Sequence, residues 1–385
     1  MNKNIEEIQL IRGFGIFIIM VGHIKGNLIT WNSPYVKTFY NYFDGTTALD
    51  TFFALSGFVI CRLLLNDLGK AKDNYHGLQI SCVFWLRRAW RLLPAAWLWL
   101  ALIMVMVIFT NESGAFGSVQ DAWGGALSSF LQIANFKFSH CWQERYFCGP
   151  SFPYWTLSME EQFYLFLPLF MIFSGKWFVR VLLVVAFTQF FIPALTLSPF
   201  FRLQAFLLGV LLAVWSNSPG YKIFEPVFLK HDWPRRIVLL TILTLLCVID
   251  QQAIPGYLIF QVSAIIGVLM VFLASFDQGY LWKKSWLRPV GLWLGDRAYA
   301  MYLCHIPVYF LAREIAFQIL GPEVKLGPEH FWYLVPGALA MIFILSELTF
   351  TFVERPLRSK GMRISSELKS RQEQDRKVTQ EAAGL

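Results

Sequence analysis

The sequence predicts an all-α, polytopic integral membrane protein with about ten transmembrane helices and both termini in the cytoplasm. Hydrophobic residues make up 56% of the 385-residue chain and charged residues only 15%, whereas a soluble protein carries about a quarter charged residues. The apolar residues are gathered into runs of roughly 16–22 residues, the length that crosses a hydrocarbon core of about 30 Å. An aromatic content of 17% suits a lipid-facing surface with interfacial belts.

Ten apolar segments are expected to cross the membrane. In chain order these predicted spans are 8–26, 46–64, 92–110, 159–175, 178–196, 201–216, 236–250, 256–275, 298–319 and 331–353. Because the number is even, both termini lie on one side. Of the 33 Lys and Arg residues, 26 fall in the termini and alternate loops of that side and 7 in the opposite loops, and the positive-inside rule places the richer side in the cytoplasm.

The net charge of +8 is therefore interpreted as an orientation signal, and no nucleic-acid partner is expected. The first apolar run lacks a small-residue cleavage site, so we expect a first span and no cleavable signal peptide. Residues 1–358 are predicted to form the transmembrane domain and 359–385 a polar cytoplasmic tail, helical or disordered, without chemistry. The segment 123–138 is apolar enough to be a re-entrant helix, an interfacial helix or an extra span.

Two cysteines lie seven residues apart in the predicted outside loop. Cys141 and Cys148 are candidates for a disulfide there, because that compartment is oxidising in most bacteria. The spacing of the six cysteines does not suggest a zinc site, and no metal is expected.

Ionisable residues within the predicted spans are functional candidates, because each costs about 2.5–3.5 kcal/mol on insertion scales. Arg12 and His23 are eleven residues apart in the first span, about 16 Å along a helix and within 20° of the same face. Asp50 begins the second span at a depth similar to that of His23. A carboxylate beside an imidazole fixes its tautomer and raises its basicity, as a general base requires. An anchoring arginine, a packing histidine and a helix-capping aspartate remain the structural alternatives.

The run from Trp155 to Tyr164 opens the fourth span and contains adjacent carboxylates, Glu160 and Glu161. They point about 100° apart on a helix, so only one is expected to face the bundle. Ser158 is a candidate cap for this helix.

Three further groups of charged residues flank or enter the spans. The cluster Arg87, Arg88 and Arg91 precedes the third span, where arginine forks suit a phosphate group, with anionic lipid as the competing ligand. His305 and Glu347 are predicted to lie about equally deep in the last two spans, and a buried pair between them is the structural interpretation. Arg202 and Arg313 lie nearer the outer surface, where they could meet an anionic acceptor or lipid.

Six motifs, in order and each at the expected span, resemble acyltransferase family 3, the bacterial membrane O-acyltransferases that modify O-antigen, peptidoglycan and exopolysaccharide. The resemblance covers residues 8–358, nearly the whole chain. The motifs are Arg12-(ten residues)-His23, Asp50-Thr-Phe-Phe-Ala-Leu-Ser-Gly-Phe58, Arg87-Arg-Ala-Trp-Arg-Leu-Leu-Pro94, the Trp155–Tyr164 run, the Tyr-x-x-Tyr-Leu-x-His-x-Pro pattern of Tyr299–Pro307, and Val-Glu-Arg-Pro at Val353–Pro356.

The resemblance implies an acyl-CoA donor, usually acetyl-CoA, bound from the cytoplasm, with His23 as the catalytic histidine. It also implies that Arg12 and the arginine motif contact the donor. Many family members carry an extra soluble domain after the membrane part, so this chain is expected to be a stand-alone version whose acceptor the sequence leaves open.

On this basis the candidate residues are sorted into three sets. The catalytic set is His23, Asp50, Glu160 and Glu161. The donor-binding set is Arg12, Arg87, Arg88, Arg91, Ser56, Tyr302 and His305. The acceptor-binding set is Trp155, Ser158, Gln162, Tyr164 and Arg202.

The expected activity is acyl transfer, most simply acetyl transfer, from cytoplasmic acyl-CoA to a hydroxyl of a cell-envelope carbohydrate, at the bacterial plasma (inner) membrane. The sequence leaves two alternatives open. One is acylation of a lipid, small-molecule or antibiotic hydroxyl. The other is a non-enzymatic transporter or flippase, which the absence of an internal sequence repeat disfavours.

Overall fold

The computed structural model describes residues 5–382 except 44, 46, 192–200, 249–255 and 284. The regular elements in these residues are helices, as predicted. In chain order they are α1 (Glu6–Asn27), α2 (Pro34–Tyr42), α3 (Thr47–Leu68), α4 (Asn74–Phe109), α5 (Val119–Phe130), α6 (Ala134–Gln143), α7 (Tyr154–Ser174), α8 (Phe178–Phe191), α9 (Gln204–Ser216), α10 (Asp232–Val248), α11 (Gly256–Ser275), α12 (Arg288–Leu320), α13 (Phe331–Thr349) and α14 (Arg355–Ala382). A π-helical turn, Phe350–Glu354, joins α13 to α14.

Each predicted span corresponds to a helix, but the lengths differ from the prediction. Seven helical stretches of the described residues are long and apolar enough to cross a membrane. The predicted span 201–216 is α9, which has 13 residues and rises only about 20 Å. The predicted spans 159–175 and 178–196 are α7 and α8, which are separated at Gly175, with φ of +48°. Residues 192–196 and 249–250 of two predicted spans lie outside the described residues.

The helix α4 shows the largest difference from its predicted span, which began at residue 92. It has 36 residues, about 54 Å of helix. Its N-terminus is capped by Asp73, whose carboxylate accepts a hydrogen bond from the His76 amide at 2.7 Å. The arginine cluster 87–91 therefore lies inside a helix, where residues three apart share a face.

Glycines allow the central helices to approach one another closely. A methyl group at Gly13 of α1 would overlap the backbone at Gly291 of α12, and one at Gly57 of α3 would overlap the backbone of Phe206 in α9. Helices in lipid gain most of their packing energy from such close contacts, because the hydrophobic effect does not drive them together there. The first contact holds α1 against α12, and so positions the polar residues of α1, and the second holds α3 against α9.

The segment 123–138 is divided between two short helices, α5 and α6. Residues 131–133 separate them, with Gln132 at φ of +57°. Helices of 12 and 10 residues rise about 18 and 15 Å, too little to cross a hydrocarbon core. Neither helix is therefore an extra span. A disulfide between Cys141 and Cys148, with Cα atoms 5.6 Å apart, closes the loop that follows, as predicted.

The C-terminal segment is part of the packed structure. The predicted boundary at 358/359 falls inside the continuous helix α14, which lies along α4. Gly361 packs on the Trp90 side chain, Ser365 is fully buried, and Arg376 contacts the His76 ring. The predicted tail is thus helical in the described residues, one of the two expected alternatives, and its residues Ser359 and Met362 line a cavity of the bundle.

Candidate active site

A cavity of about 590 Å³ lies within the bundle. Residues of α1, α3, α4, α7 and α12, the π-helical turn and α14 line it. The lining side chains with chemistry are Gln9, Arg12, Ser56, Arg88, Arg91, Thr156, Glu160, Tyr164, Asp296, Arg297, Tyr299, Tyr302, Glu354, Arg355, Arg358 and Ser359. The cavity is about the size of a small-molecule site.

One end of the cavity is rich in cations. Arg12, Arg88, Arg91, Arg355 and Arg358 line this part, which we call the arginine end. Arg12 also donates a hydrogen bond to the Gln9 side chain at 3.3 Å.

The carboxylates that line the cavity only partly offset these charges. They are Glu160, Asp296 and Glu354, and Glu354 has a buried oxygen without a hydrogen-bond partner among the described residues. Several guanidinium groups directed into one cavity suit a ligand with more than one phosphate.

Only part of the predicted arginine motif lines this cavity. Arg88 and Arg91 do so, and they are three residues apart on α4. Arg87 points elsewhere and donates through Nε to the Ser365 hydroxyl at 2.8 Å. The assignment of Arg87 to donor binding is therefore not supported, because its guanidinium joins α4 to α14.

The middle of the cavity holds a chain of hydrogen bonds. The Ser56 hydroxyl donates to Glu160, and the Tyr164 hydroxyl donates to Ser56 at 3.3 Å. The guanidinium of Arg88 lies 5.3 Å from the centre of the Tyr164 ring. Of the two adjacent carboxylates, Glu160 lines the cavity, whereas Glu161 is not among its lining residues. The prediction that only one of the pair faces the bundle is wrong, because a carboxylate oxygen of Glu161 is also buried and has no hydrogen-bond partner among the described residues.

His23 lies beyond the other end of the cavity, beside a second imidazole. Ile19, one helical turn before His23, lines the cavity with Thr156 and Tyr302. The Nδ1 atom of His23 is 3.0 Å from Nε2 of His305, and the two rings are stacked with centroids 5.2 Å apart. We call this arrangement the histidine pair.

The hydrogen bonds of His305 determine which nitrogen carries each proton. Its Nδ1 lies 2.8 Å from the backbone carbonyl of Tyr302, and a carbonyl oxygen can only accept. In a neutral ring Nδ1 therefore carries the proton, and Nε2 is an acceptor. His23 must then donate from Nδ1, which makes its Nε2 the unprotonated nitrogen of the neutral ring. The tautomer of His23 is thus set by a second histidine.

Asp50 is not the partner of His23 that the sequence suggested. Its carboxylate forms an ion pair with Arg202 at 3.3 Å, and both side chains are buried. Arg202 also lies over the rings of Phe260, at 4.4 Å, and Trp155, at 5.7 Å. The second expected pair is also wrong, because Glu347 binds Arg297 and the Trp293 indole rather than a histidine.

Several candidates for acceptor binding instead hold the fold together. Ser158 does not cap α7, which begins four residues earlier. Its buried hydroxyl accepts from the Ala134 amide at 3.1 Å. Gln162 donates to the Gln132 carbonyl at 2.9 Å and to the Asn135 side chain at 3.0 Å. These bonds fasten α6 and the α5–α6 turn to α7.

The cavity residues of the π-helical turn and α14 were not among the candidates predicted from the sequence. Glu354, Arg355 and Arg358 line the arginine end, and two of them belong to the Val353–Pro356 motif. That motif was the available signal. Its place in the site depends on how α14 folds back along α4, which periodicity does not reveal.

Tyr299 and Tyr302 are also held in place beside the cavity. The Tyr299 hydroxyl donates to the Leu92 carbonyl at 2.7 Å. The Tyr302 hydroxyl donates to the Pro153 carbonyl at 2.9 Å and contacts the Thr156 hydroxyl at 2.6 Å. The cavity wall that contains these two tyrosines is therefore fixed by hydrogen bonds from α12 to α4 and to the start of α7.

Comparison with known proteins identifies the family. Residues 5–350 match the model of the acyltransferase domain known as acyltransferase family 3, and the chain belongs to this family. It is 27% identical to the peptidoglycan O-acetyltransferase OatA of Listeria monocytogenes, over 93% of this chain and 56% of the relative. It is 29% identical to the putative peptidoglycan O-acetyltransferase YrhL of Bacillus subtilis, over 94% and 56%.

A third relative is similar over the same part of its length. The O-acetyltransferase OatA of Staphylococcus aureus is 23% identical, over 92% of this chain and 57% of the relative. The chain thus spans little more than half the length of these relatives. Among solved structures none matches significantly.

Proposed function

We propose that this chain is an O-acetyltransferase that moves an acetyl group from cytoplasmic acetyl-CoA to a hydroxyl of an envelope carbohydrate on the opposite side of the membrane. In this proposal the protein lies in the bacterial plasma membrane with both termini in the cytoplasm. The distribution of Lys and Arg supports that orientation.

The observation that carries the proposal is a single cavity with two chemically different ends. The arginine end offers five guanidinium groups, which suit the phosphates of CoA. The opposite end stops at Ile19, one helical turn from His23. Arg12 and His23 are about 16 Å apart along α1, and the flexible arm of CoA between its phosphates and its thioester would cover that separation.

In the proposed reaction His23 is the general base. Its unprotonated Nε2 accepts the proton of the acceptor hydroxyl, while the hydroxyl oxygen attacks the thioester carbonyl. The new C–O ester bond forms, the C–S bond breaks, and the departing thiolate takes up the proton. A transient acyl-histidine, formed by Nε2 and then attacked by the acceptor hydroxyl, is the other route that the same geometry supports.

The remaining residues of the site would position these groups. Glu160, bound to Ser56, lines the same cavity and would offset part of the positive charge there. His305 holds the tautomer of His23. Asp50 and Arg202 act together as a buried ion pair and not through the imidazole, in contrast to the arrangement suggested by the sequence.

The carbohydrate acceptor is proposed from the relatives, two of which are named for peptidoglycan. The test is transfer of radiolabelled acetate from acetyl-CoA in membranes that contain the protein, followed by separation of polysaccharide and lipid fractions. Wild type is expected to place the label in an alkali-labile ester of the polysaccharide fraction. His23→Ala is expected to abolish transfer, whereas His231→Ala, an exposed histidine outside the cavity, keeps it.

Two results would contradict this proposal. Near-normal transfer by the His23→Ala protein would exclude His23 as the base. Label confined to the lipid fraction in wild type would show that the acceptor is a lipid and not a carbohydrate.

A further inference from the structure

A second cavity, of about 460 Å³, lies on the other side of α1 from the main cavity. It is a groove between α1, α10 and the start of α3, with contributions from α11 and the loop after it. Its walls are apolar along Leu10, Phe14 and Ile18 of α1 and along Leu239 and Leu243 of α10. From Leu10 to Ile18 the groove follows α1 for about 12 Å, which suits the first part of an acyl chain.

Basic side chains collect at one end of this apolar groove. Arg235 and Arg236 from the first turn of α10 and Lys283 from the loop before α12 line that end. One carboxylate, Asp232, lies among them and binds both Arg235, at 2.7 Å, and Lys283. Among these four side chains the three cations outnumber the one anion.

Arg235 carries a polar group that the described residues do not satisfy. The residue is only 8% exposed, and its Nη2 is the atom that binds Asp232. Its Nη1 is buried and has no hydrogen-bond partner in the described part of the chain. A buried charged donor without an acceptor is costly, so its position in a groove wall indicates an anionic ligand.

We propose that this groove binds an anionic phospholipid. The phosphodiester accepts hydrogen bonds from Nη1 of Arg235 and from Arg236 and Lys283, and one acyl chain lies between α1 and α10. Basic pockets between transmembrane helices on the cytoplasmic side are suited to such headgroups. The basic end of the groove belongs to the loops that the Lys and Arg distribution places in the cytoplasm. The bound lipid would fill the gap between α10 and the central helices.

The groove is separate from the main cavity in its lining residues. The lipid proposal therefore does not depend on the proposed acetyl transfer. A lipid bound in the groove would stabilise the packing of α10 and would not contact the histidine pair.

The test is native mass spectrometry of the detergent-purified protein titrated with phosphatidylglycerol, and in parallel with phosphatidylcholine of the same acyl chains. We expect one phosphatidylglycerol to bind preferentially. Arg235→Gln should weaken that binding about fivefold or more, because a charge near the headgroup contributes about 1 kcal/mol or more. Arg235→Lys should restore part of it. The matched control is Arg180→Gln, which removes an exposed arginine outside the groove.

A second variant tests the acyl chain separately. Leu243→Trp should fill the groove and weaken the binding of phosphatidylglycerol without a change in charge. Thermal unfolding of each variant in detergent shows whether it is folded.

Three results would overturn the proposal. The first is equal binding of phosphatidylglycerol and phosphatidylcholine. The second is a Kd that neither Arg235→Gln nor Leu243→Trp changes. The third is equally strong competition by inorganic phosphate alone, which would assign the basic end to a free anion.

Discussion

Replacing His305 by alanine tests the geometry of the histidine pair. In the structure Nε2 of His305 accepts from Nδ1 of His23 at 3.0 Å, while its own Nδ1 donates to the Tyr302 carbonyl. The alanine variant removes the acceptor and leaves the Nδ1–H of His23 without this partner. The proton can then move to Nε2, the nitrogen that must be unprotonated to act as a base.

The size of the effect follows from the bond that is lost. A buried donor left unsatisfied costs about 1–3 kcal/mol, and loss of a partner that orients a catalytic group typically costs about 10–100-fold. We therefore expect His305→Ala to lower kcat for acetyl transfer about 10–100-fold. The Kd of acetyl-CoA should stay within about twofold, because His305 does not line the arginine end.

The assay is steady-state transfer from labelled acetyl-CoA, with donor binding measured separately by isothermal titration. His305→Gln is the matched variant, because its amide oxygen can still accept from His23 and should recover part of kcat. Thermal unfolding of both proteins reports folding. If His305→Ala kept kcat within twofold, or if binding and kcat fell together, the assignment of the tautomer to His305 would be refuted.

Three further predictions concern other parts of the chain. Arg88→Gln should raise the KM for acetyl-CoA about tenfold or more, since a hydrogen bond to a charged group contributes about 1.5–3 kcal/mol; Arg87→Gln, outside the cavity, should change it less than threefold in the same assay. Arg202→Ala should cost about 3–5 kcal/mol of folding free energy and lower the Tm, because it leaves a buried carboxylate unpaired. An impermeant maleimide added to intact cells should not label Cys82, because that residue is predicted to lie on the cytoplasmic side. It should label Cys148 only after reduction, because this cysteine forms a disulfide in the predicted outside loop.

Each of these predictions has a result that would contradict it. An equal rise in KM for the Arg87 and Arg88 variants would remove the distinction between cavity and surface arginines. An unchanged Tm after loss of Arg202 would mean that its ion pair does not stabilise the fold. Labelling of Cys82 from outside would show that the bundle has the opposite orientation in the membrane.

The sequence predicted the features that depend on one helix at a time. The separation of Arg12 and His23 follows from the rise of α1. The candidates included both histidines of the pair and three of the cavity arginines, Arg12, Arg88 and Arg91. Helix geometry placed Glu160 and Glu161 about 100° apart on α7, but it did not predict that the bundle buries part of both. The disulfide between Cys141 and Cys148 followed from their spacing and predicted compartment.

The features that the sequence missed depend on how distant helices meet. Asp50 was paired with His23 because their predicted depths agree, but α3 packs on α9, and this brings Arg202 to the carboxylate. Arg87 was grouped with its neighbours because they are adjacent in sequence. Its direction depends on α14, which lies along α4 and holds its guanidinium at Ser365. Hydropathy cannot detect either contact.

Transfer across a sealed membrane is the central claim, and a reconstituted vesicle tests it most directly. Purified protein is placed in proteoliposomes with a peptidoglycan fragment sealed inside, and labelled acetyl-CoA is added outside. Molecules inserted with the arginine end outward should place labelled ester on the enclosed acceptor, and His23→Ala vesicles should not. The account would be contradicted if the vesicles acetylated only an acceptor added on the same side as acetyl-CoA. It would also be contradicted if His23→Ala vesicles were as active as wild type.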